Sequence, residues 1–484
     1  MIRYIVKNLF YICIILLSIM MWIINFYYYS DYSYIFRIAK GFGLNLRIWT
    51  MFMYFTMCRS ILNGKFENHV SYHIFIGNMM IISTIGHTIS HILYNKNMMD
   101  SIHITGYILS FLFSMITFTY LLKKYNYKIF KLGHMVYYIF LLLCILHVKK
   151  YWYFFSTPLL VFIIESTLNY NKLQISKIIN VKIIENISND EIRENISIQN
   201  DLKIKNNKRK EVSNPVLYIS LPRKIDSVPG SFYYICIPKL SIFEWHPFSI
   251  SVSSFVDQLV FLIEVKGDWT SGLYDLTKTG IINDKIEDIS VLVMGPFYTS
   301  STKMLKTDVK EKIAICTGIG ITPFLSIIGT KIDSYNVNLE HRDNFYNIFG
   351  KDFQQHRAYS LTSQKDIESC VTYKNQIFTI IWIFRNLINV QNLFECVKVI
   401  MENSVNIILK IYITSKDYNE ELKNKFIEDN KVSGIEISFG RPSIEEIFKE
   451  NPKSVFYCGN PLMKNLVNDY CYDNKIKFSS EIFG

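Results

Sequence analysis

Apolar positions crowd the first third of the chain and then change period. Leu9 to Tyr29, Tyr72 to Tyr94 and Ile102 to Leu122 contain no Asp, Glu, Lys or Arg. At roughly 1.5 Å per residue each is long enough to cross a hydrocarbon core about 30 Å thick. Gly41 to Cys58 is a fourth such stretch, interrupted by Arg47. Leu132 to Ile164 is too long for one crossing and carries Lys149 and Lys150 inside it, so it divides into two short spans. The pattern predicts six membrane helices within residues 1–170.

Residues 171–213 have no glycine and are rich in Asn, Lys, Ile and Glu, which reads as a linker with some helix or strand but no core of its own. Val216 to Val265 reads as short strands with turn signals such as VPGS, predicting a small antiparallel β-barrel over 214–308. From Lys312 the apolar runs IAIC, FTIIWIF, ILKIYI and SVFYC alternate with helical stretches. That pattern predicts a parallel sheet with helices on both faces over 309–484.

Charge refines this division. The net charge is +11, but its visible clusters, Arg3 and Lys7 before the first span and Lys123, Lys124, Lys128 and Lys131 between the fourth and fifth, flank the membrane segments. Anionic headgroups of a lipid bilayer are their natural partner, and nucleic acid is not. Both clusters belong in the cytosol by the positive-inside rule, and an even number of spans returns the soluble half there. An integral, multi-pass protein of the plasma membrane or an endomembrane follows. Leu9 to Tyr29 lacks a small-residue cleavage site and reads as a retained anchor. Nine cysteines without C-x-x-C spacing fit reduced thiols. No calcium-binding loop is visible.

Seven of the ten histidines precede residue 150. An imidazole in lipid is costly unless its nitrogen is used. His73 and His87 are fourteen positions apart, close to four turns, and share a helix face. His134 and His147 are thirteen apart on the fifth span. Two such helices side by side offer two facing imidazole pairs, the ligand set of two stacked bis-histidine haems. Zinc is the competitor, but it gathers four ligands in one place. Thirteen residues is not a whole number of turns, so the fifth helix needs tilt or a local irregularity to aim both rings inward.

The soluble half carries ordered motifs. WHPFSIS (Trp245 to Ser251) reads first as an ordinary barrel strand, and GDWTSGLY (Gly267 to Tyr274) and GPFYTSS (Gly295 to Ser301) follow it. CTGIGITPF (Cys316 to Phe324) ends a strand and opens a helix, where glycines allow close backbone approach to a phosphate. WIFR (Trp382 to Arg385), FGRP (Phe439 to Pro442), YCGNP (Tyr457 to Pro461) and a terminal EIFG come next.

Together with H-x13-H on the third span and H-x12-H on the fifth, this order resembles the NADPH oxidases and their relatives the ferric reductases. The resemblance implies a six-helix dihaem membrane domain joined to a ferredoxin-reductase-like module, itself an FAD barrel plus an α/β NADPH domain. It implies that His73 and His134 hold an inner haem b, His87 and His147 an outer one, with His91 beside the outer haem where oxygen is reduced. A basic residue is expected there as well, and Arg37 and Lys40 both qualify. Ser249 would hydrogen-bond the flavin edge, while His246 and Phe248, with Pro247 and Ser251 in the same motif, pack on or bond to the cofactor.

The chain departs from the family at two places. Glu264 stands where an arginine meets a flavin phosphate, with Lys266 two residues on as the substitute. Tyr298 replaces a glycine in the loop whose Gly295, Thr299 and Ser301 would serve the pyrophosphate. Gly318, Gly320, Thr322 and Pro323 would cradle the nucleotide, Arg385 and Arg441 grip its phosphates, and Cys458 sit near the nicotinamide with Gly459 and Pro461 completing its motif. Phe483 would cover the flavin ring. The implied function is electron transfer from NADPH through FAD and two haems to oxygen, giving superoxide. A ferric or cupric chelate is the rival acceptor, and a membrane sensor that keeps the fold without turnover is the rival outside enzymes. An accessory membrane subunit or a homo-oligomer is compatible with each.

Overall fold

The computed structural model describes residues 2–58, 69–94, 100–148, 152–184, 214–222, 228–252, 258–305, 312–329, 378–385, 393–394, 397–398, 401, 406–415 and 418–481. It divides into two compact units, Met1–Leu168 and Asn169–Gly484.

The first unit is helical: α1 (Ile2–Tyr28), α2 (Tyr34–Phe55), α3 (His69–Tyr94), α4 (Ser101–Leu121), α5 (Tyr127–His134), α6 (Tyr137–His147) and α7 (Trp152–Tyr170). Small residues let these rods approach closely. A Cβ on Gly41 of α2 would lie 2.7 Å from the Trp22 indole of α1, and Gly133 of α5 is packed under Thr119 of α4. Asn45 donates to the Ser18 hydroxyl at 2.9 Å, a buried polar tie between α1 and α2. Tyr11–Tyr28, Ser101–Lys124 and Tyr127–His147 are long and apolar enough to cross a membrane. α3 has the length, at 26 residues, but its histidines and Asn78 lower its hydropathy.

The expected fifth span is not one continuous helix. α5 starts at Asn126, whose side chain accepts the Ile129 N–H at 3.0 Å. It stops at His134, and two turn residues intervene before α6. There Val136 N–H reaches back three residues to Gly133 and Tyr138 N–H three residues to Met135. Three-residue steps turn the chain faster than four-residue ones. This is the irregularity that a thirteen-residue histidine spacing requires.

The second unit opens with β1 (Leu173–Lys177) and β2 (Asn180–Ile184). The stretch 171–213, read as a linker with some helix or strand and no core of its own, lends these two strands to the barrel. β1 pairs with β7 (Ser290–Phe297), β2 pairs with β3 (Val216–Pro222), and Ile178 and Val181 are buried in the barrel core. Adding β4 (Phe232–Cys236), β5 (His246–Val252) and β6 (Gln258–Glu264) gives an antiparallel sheet of order β1-β7-β4-β5-β6-β3-β2. Between β1 and β2, Ile178 N–H bonds to Ile289 on one edge and Ile179 N–H to Ser220 on the other, which curls the sheet toward closure. α8 (Asp268–Ile282) seals one end through Trp269 and Leu273.

After α9 (Ser300–Leu305) come β8 (Lys312–Thr317), α10 (Thr322–Gly329), β9 (Phe378–Phe384), β10 (Ile407–Ile413), α11 (Glu420–Asp429), β11 (Ile435–Phe439), α12 (Ile444–Ile447), β12 (Ser454–Cys458), α13 (Pro461–Asp473) and β13 (Lys477–Glu481). The six strands are parallel, in the order β11-β10-β9-β8-β12-β13. Both faces are buried, as the continuous apolar runs require. Ala314 and Cys316 of β8 meet Phe324 and Ile328 of α10, whereas Ile313 and Ile315 face Val467 and Cys471 of α13.

Candidate functional site

A cavity of about 1180 Å³ opens between the barrel and the C-terminal edge of the parallel sheet. That edge is where open α/β sheets bind ligands. Pro247, Phe248, Ser249, Glu264 and Lys266 form the barrel wall. Facing them, Gly318, Gly320 and Thr322 follow β8, Arg385 follows β9, Arg441 follows β11, and Cys458, Gly459 and Pro461 come from the end of β12. Motifs spread over more than 200 positions thus meet at one place.

Local bonds fix the sheet wall. Gly318 takes a φ of +55°, and its carbonyl accepts the Trp382 indole N–H at 2.8 Å. A Cβ on Gly320 would stand 2.5 Å from the Cys458 carbonyl, so only glycine lets this turn lie against β12. Thr317 accepts the Asn460 N–H at 2.8 Å, tying the ends of β8 and β12. Tyr457 donates to the Asn460 carbonyl at 2.7 Å, and burial pushes its phenol up to about 12, so it stays a donor at neutral pH. Burial also holds the Cys458 and Cys316 thiols well above their usual range, which keeps both protonated.

The cavity fits a flavin on its barrel side. Ser249 lines it, and its hydroxyl is buried with no hydrogen-bond partner among the described residues. On the nucleotide side Arg441 is exposed and forms no hydrogen bond or ion pair among the described residues. Lys266, the expected phosphate cation, is held by the Glu264 carboxylate at 2.9 Å.

Other expected residues lie elsewhere. His246 stacks on Trp269 with ring centroids 4.3 Å apart and does not line the cavity. Ser251 is turned into the sheet, its hydroxyl accepting the Leu262 N–H at 3.2 Å. Pro323 lies inside the start of α10, its carbonyl accepting the Ser326 hydroxyl at 2.7 Å. Gly295 packs under Tyr233, and Thr299 donates to the Gly230 carbonyl at 2.7 Å. The Ser301 N–H donates to Glu481 at 2.6 Å. A carboxylate therefore occupies the start of α9, where a phosphate was expected. Burial raises the Glu481 carboxyl above its usual range although the Thr299, Ser300 and Ser301 donors oppose the shift. Glu481 was missed because an acid on a strand reads as a surface charge. Phe483 lies outside the described residues.

In the helical unit, the His73 and His134 ring centroids are 6.1 Å apart. Two imidazoles on one metal, at roughly 2.0–2.1 Å per metal–nitrogen bond, place their centroids about 6 Å apart. His134 Nδ1 is buried without a partner among the described residues. The other three rings have Nδ1 occupied: His73 by the Thr56 hydroxyl at 3.0 Å, His87 by the Ala39 carbonyl at 2.9 Å, and His147 by the Thr105 hydroxyl at 2.9 Å. Such bonds turn Nε2 toward a metal. They were illegible in the sequence, because their partners are a carbonyl and two threonines on other helices.

His87 and His147 interact electrostatically, and Gly43 and Gly106 lie beside their rings. His91 is 4.6 Å from His87 and 5.7 Å from His103 between centroids. The two basic candidates differ in their surroundings. The Arg37 guanidinium lies 3.9 Å over Phe26 and donates to the Phe26 carbonyl, whereas Lys40 acts electrostatically on His87, His91 and His147.

Comparison with known proteins agrees with the motif order. Residues 201–301 match a model of an FAD-binding domain, and 312–472 match the ferric reductase NAD binding domain. Ferric reduction oxidase 8, mitochondrial, of Arabidopsis thaliana is 27% identical over 318 residues, which span 60% of this chain and 40% of the relative. Probable respiratory burst oxidase homolog protein I of the same plant is 24% identical over 307 residues, 53% of this chain and 32% of the relative. The chain thus spans about 40% or less of the length of these relatives. Ferredoxin-NADP+ reductase from Plasmodium falciparum is 16% identical and covers 65% of this chain and 97% of its own, with a TM-score of 0.35. With two adjoining domain matches and the shared motifs on the walls of one cavity, the chain belongs to the NADPH oxidase and ferric reductase superfamily.

Proposed function

We propose that the chain moves electrons from cytosolic NADPH across a membrane to oxygen, producing superoxide, in a protein whose first unit is a six-helix dihaem domain. The observation that carries this is the pairing within one chain of a two-walled cavity, with Ser249 unpartnered on one side and Arg441 on the other, and two sets of histidines in apolar helices. FAD would accept hydride and release single electrons, and haem b would relay them. Arg385 and Arg441 hold nucleotide phosphates, the turn Gly318 to Thr322 receives the nucleotide backbone-on, and Ser249 donates to the flavin edge. His73 with His134, and His87 with His147, would hold the two haems, with the Nδ1 partners of His73, His87 and His147 setting the orientation of those three rings. Haem held by such a pair of imidazoles would supply single electrons to an acceptor. Lys40 and His91 would border that acceptor.

Reduction of ferric or cupric chelates is the second reading. It is favoured by the names of relatives, since ferric reduction oxidases 8, 1 and 3 of A. thaliana are 27, 26 and 26% identical to the chain. The H-x12-H spacing favours oxygen. The deciding experiment is NADPH-driven reduction by purified protein with oxygen and ferric chelate compared. Ferric reduction insensitive to superoxide dismutase, with no superoxide formed, would reverse the choice. A protein purified without bound flavin, and unable to take it up, would leave only the sensor reading.

A further inference from the structure

We infer that Glu264 sets how tightly this chain holds the phosphate end of its flavin, by competing with that phosphate for Lys266; the inference rests on the flavin reading of the cavity. β6 ends at Glu264, which lies opposite Val216 at the start of β3. Both of its carboxylate oxygens are engaged, one accepting from the Asn214 amide at 3.2 Å and the other from the Lys266 ammonium at 2.9 Å. All three side chains line the cavity. Among the described lining residues the other cations are Arg385 and Arg441, on the opposite wall.

The barrel wall therefore offers a phosphate a cation already paired with an anion. The partners are unequal. Lys266 is 68% exposed on a flexible stem, whereas Glu264 is 22% exposed and anchored by Asn214. When a phosphate arrives, Lys266 is the group that turns, and Glu264 remains as a like charge beside the phosphate. Phosphate-bearing flavins lose affinity on both counts, and a flavin without phosphate loses none. Glutamine at position 264 keeps an oxygen for Asn214 while removing the charge, so it separates electrostatics from shape.

The test uses the full chain in detergent, stripped of flavin and titrated with riboflavin, FMN and FAD by quenching of flavin fluorescence. Glu264→Gln should tighten FMN and FAD about fivefold, the scale of a partly exposed ion pair, and leave riboflavin unchanged. The gain should shrink in high salt and vanish when Lys266→Met is added to Glu264→Gln. Unchanged or weakened FAD binding in Glu264→Gln, or equal tightening of riboflavin and FAD, overturns the inference while leaving the flavin reading intact. Failure of the unmutated chain to bind any of the three flavins would defeat that reading, and the inference with it.

Discussion

Arg441 has an anion-binding guanidinium exposed at a cavity rim and no protein partner among the described residues. A charge-assisted hydrogen bond contributes roughly 1.5–3 kcal/mol. If it meets the 2′-phosphate, Arg441→Ala should raise the KM for NADPH about tenfold or more and leave that for NADH nearly unchanged. Steady-state kinetics with both nucleotides would check this, and equal weakening would place Arg441 elsewhere. Glu481 makes a different prediction. Its folded-state pKa is raised by burial, so its stabilising contribution is present in acid and is lost as pH climbs from the ordinary Glu value, about 4.3, through the raised one. Relative to Glu481→Gln, the unmutated chain should lose melting temperature as pH rises above the ordinary Glu range. Parallel thermal scans of both chains would show no such divergence if Glu481 titrated normally.

At the scale of elements, the helix break at Met135–Val136 and the glycines of α2 and α4 matter most. Each proposed haem takes one histidine from α3 and one from α5 or α6, so His87→Leu and His147→Leu should remove the same haem and spare the other. Low-spin haem spectra that lost different species in the two variants would refute the pairing. Gly106 of α4 extends this to a residue that holds nothing itself. A Cβ there would lie 3.0 Å from Cε1 of His147. Gly106→Leu should therefore displace that ring and reproduce the His147→Leu spectrum. A spectrum like that of the unmutated chain would mean that α4 can retreat.

At the scale of the whole molecule, the proposed electron transfer needs an acceptor. His91 lies one helical turn beyond His87 and between it and His103. A diatomic acceptor would fit beside that ring better than a bulky chelate. His91→Leu should keep both haems and their reduction by NADPH while lowering superoxide output. Ferric chelate reduction, which needs only an exposed edge, should be unaffected. Loss of both activities together would make His91 part of the electron path. In the proposed transfer each electron carried across would be helped or opposed by about 2.3 kcal/mol per 100 mV, so rates in sealed vesicles should respond to an imposed potential.

Local pattern alone determined the division into an apolar helical part, an antiparallel barrel and a parallel sheet, because hydrophobic period follows directly from backbone geometry. The motifs around Ser249, Gly318, Arg385, Arg441 and Cys458 were legible for a related reason. Glycine at a turn is needed for its own backbone freedom, and an arginine carries its charge wherever the neighbours stand. Partnership was not legible. The inclusion of β1 and β2 in the barrel, the Nδ1 bonds from Thr56, Ala39 and Thr105, the anchoring of Glu264 by Asn214 and the burial of Glu481 against α9 all join residues distant in sequence. Those contacts depend on distances of a few ångströms between separate elements, and only the packed chain sets them.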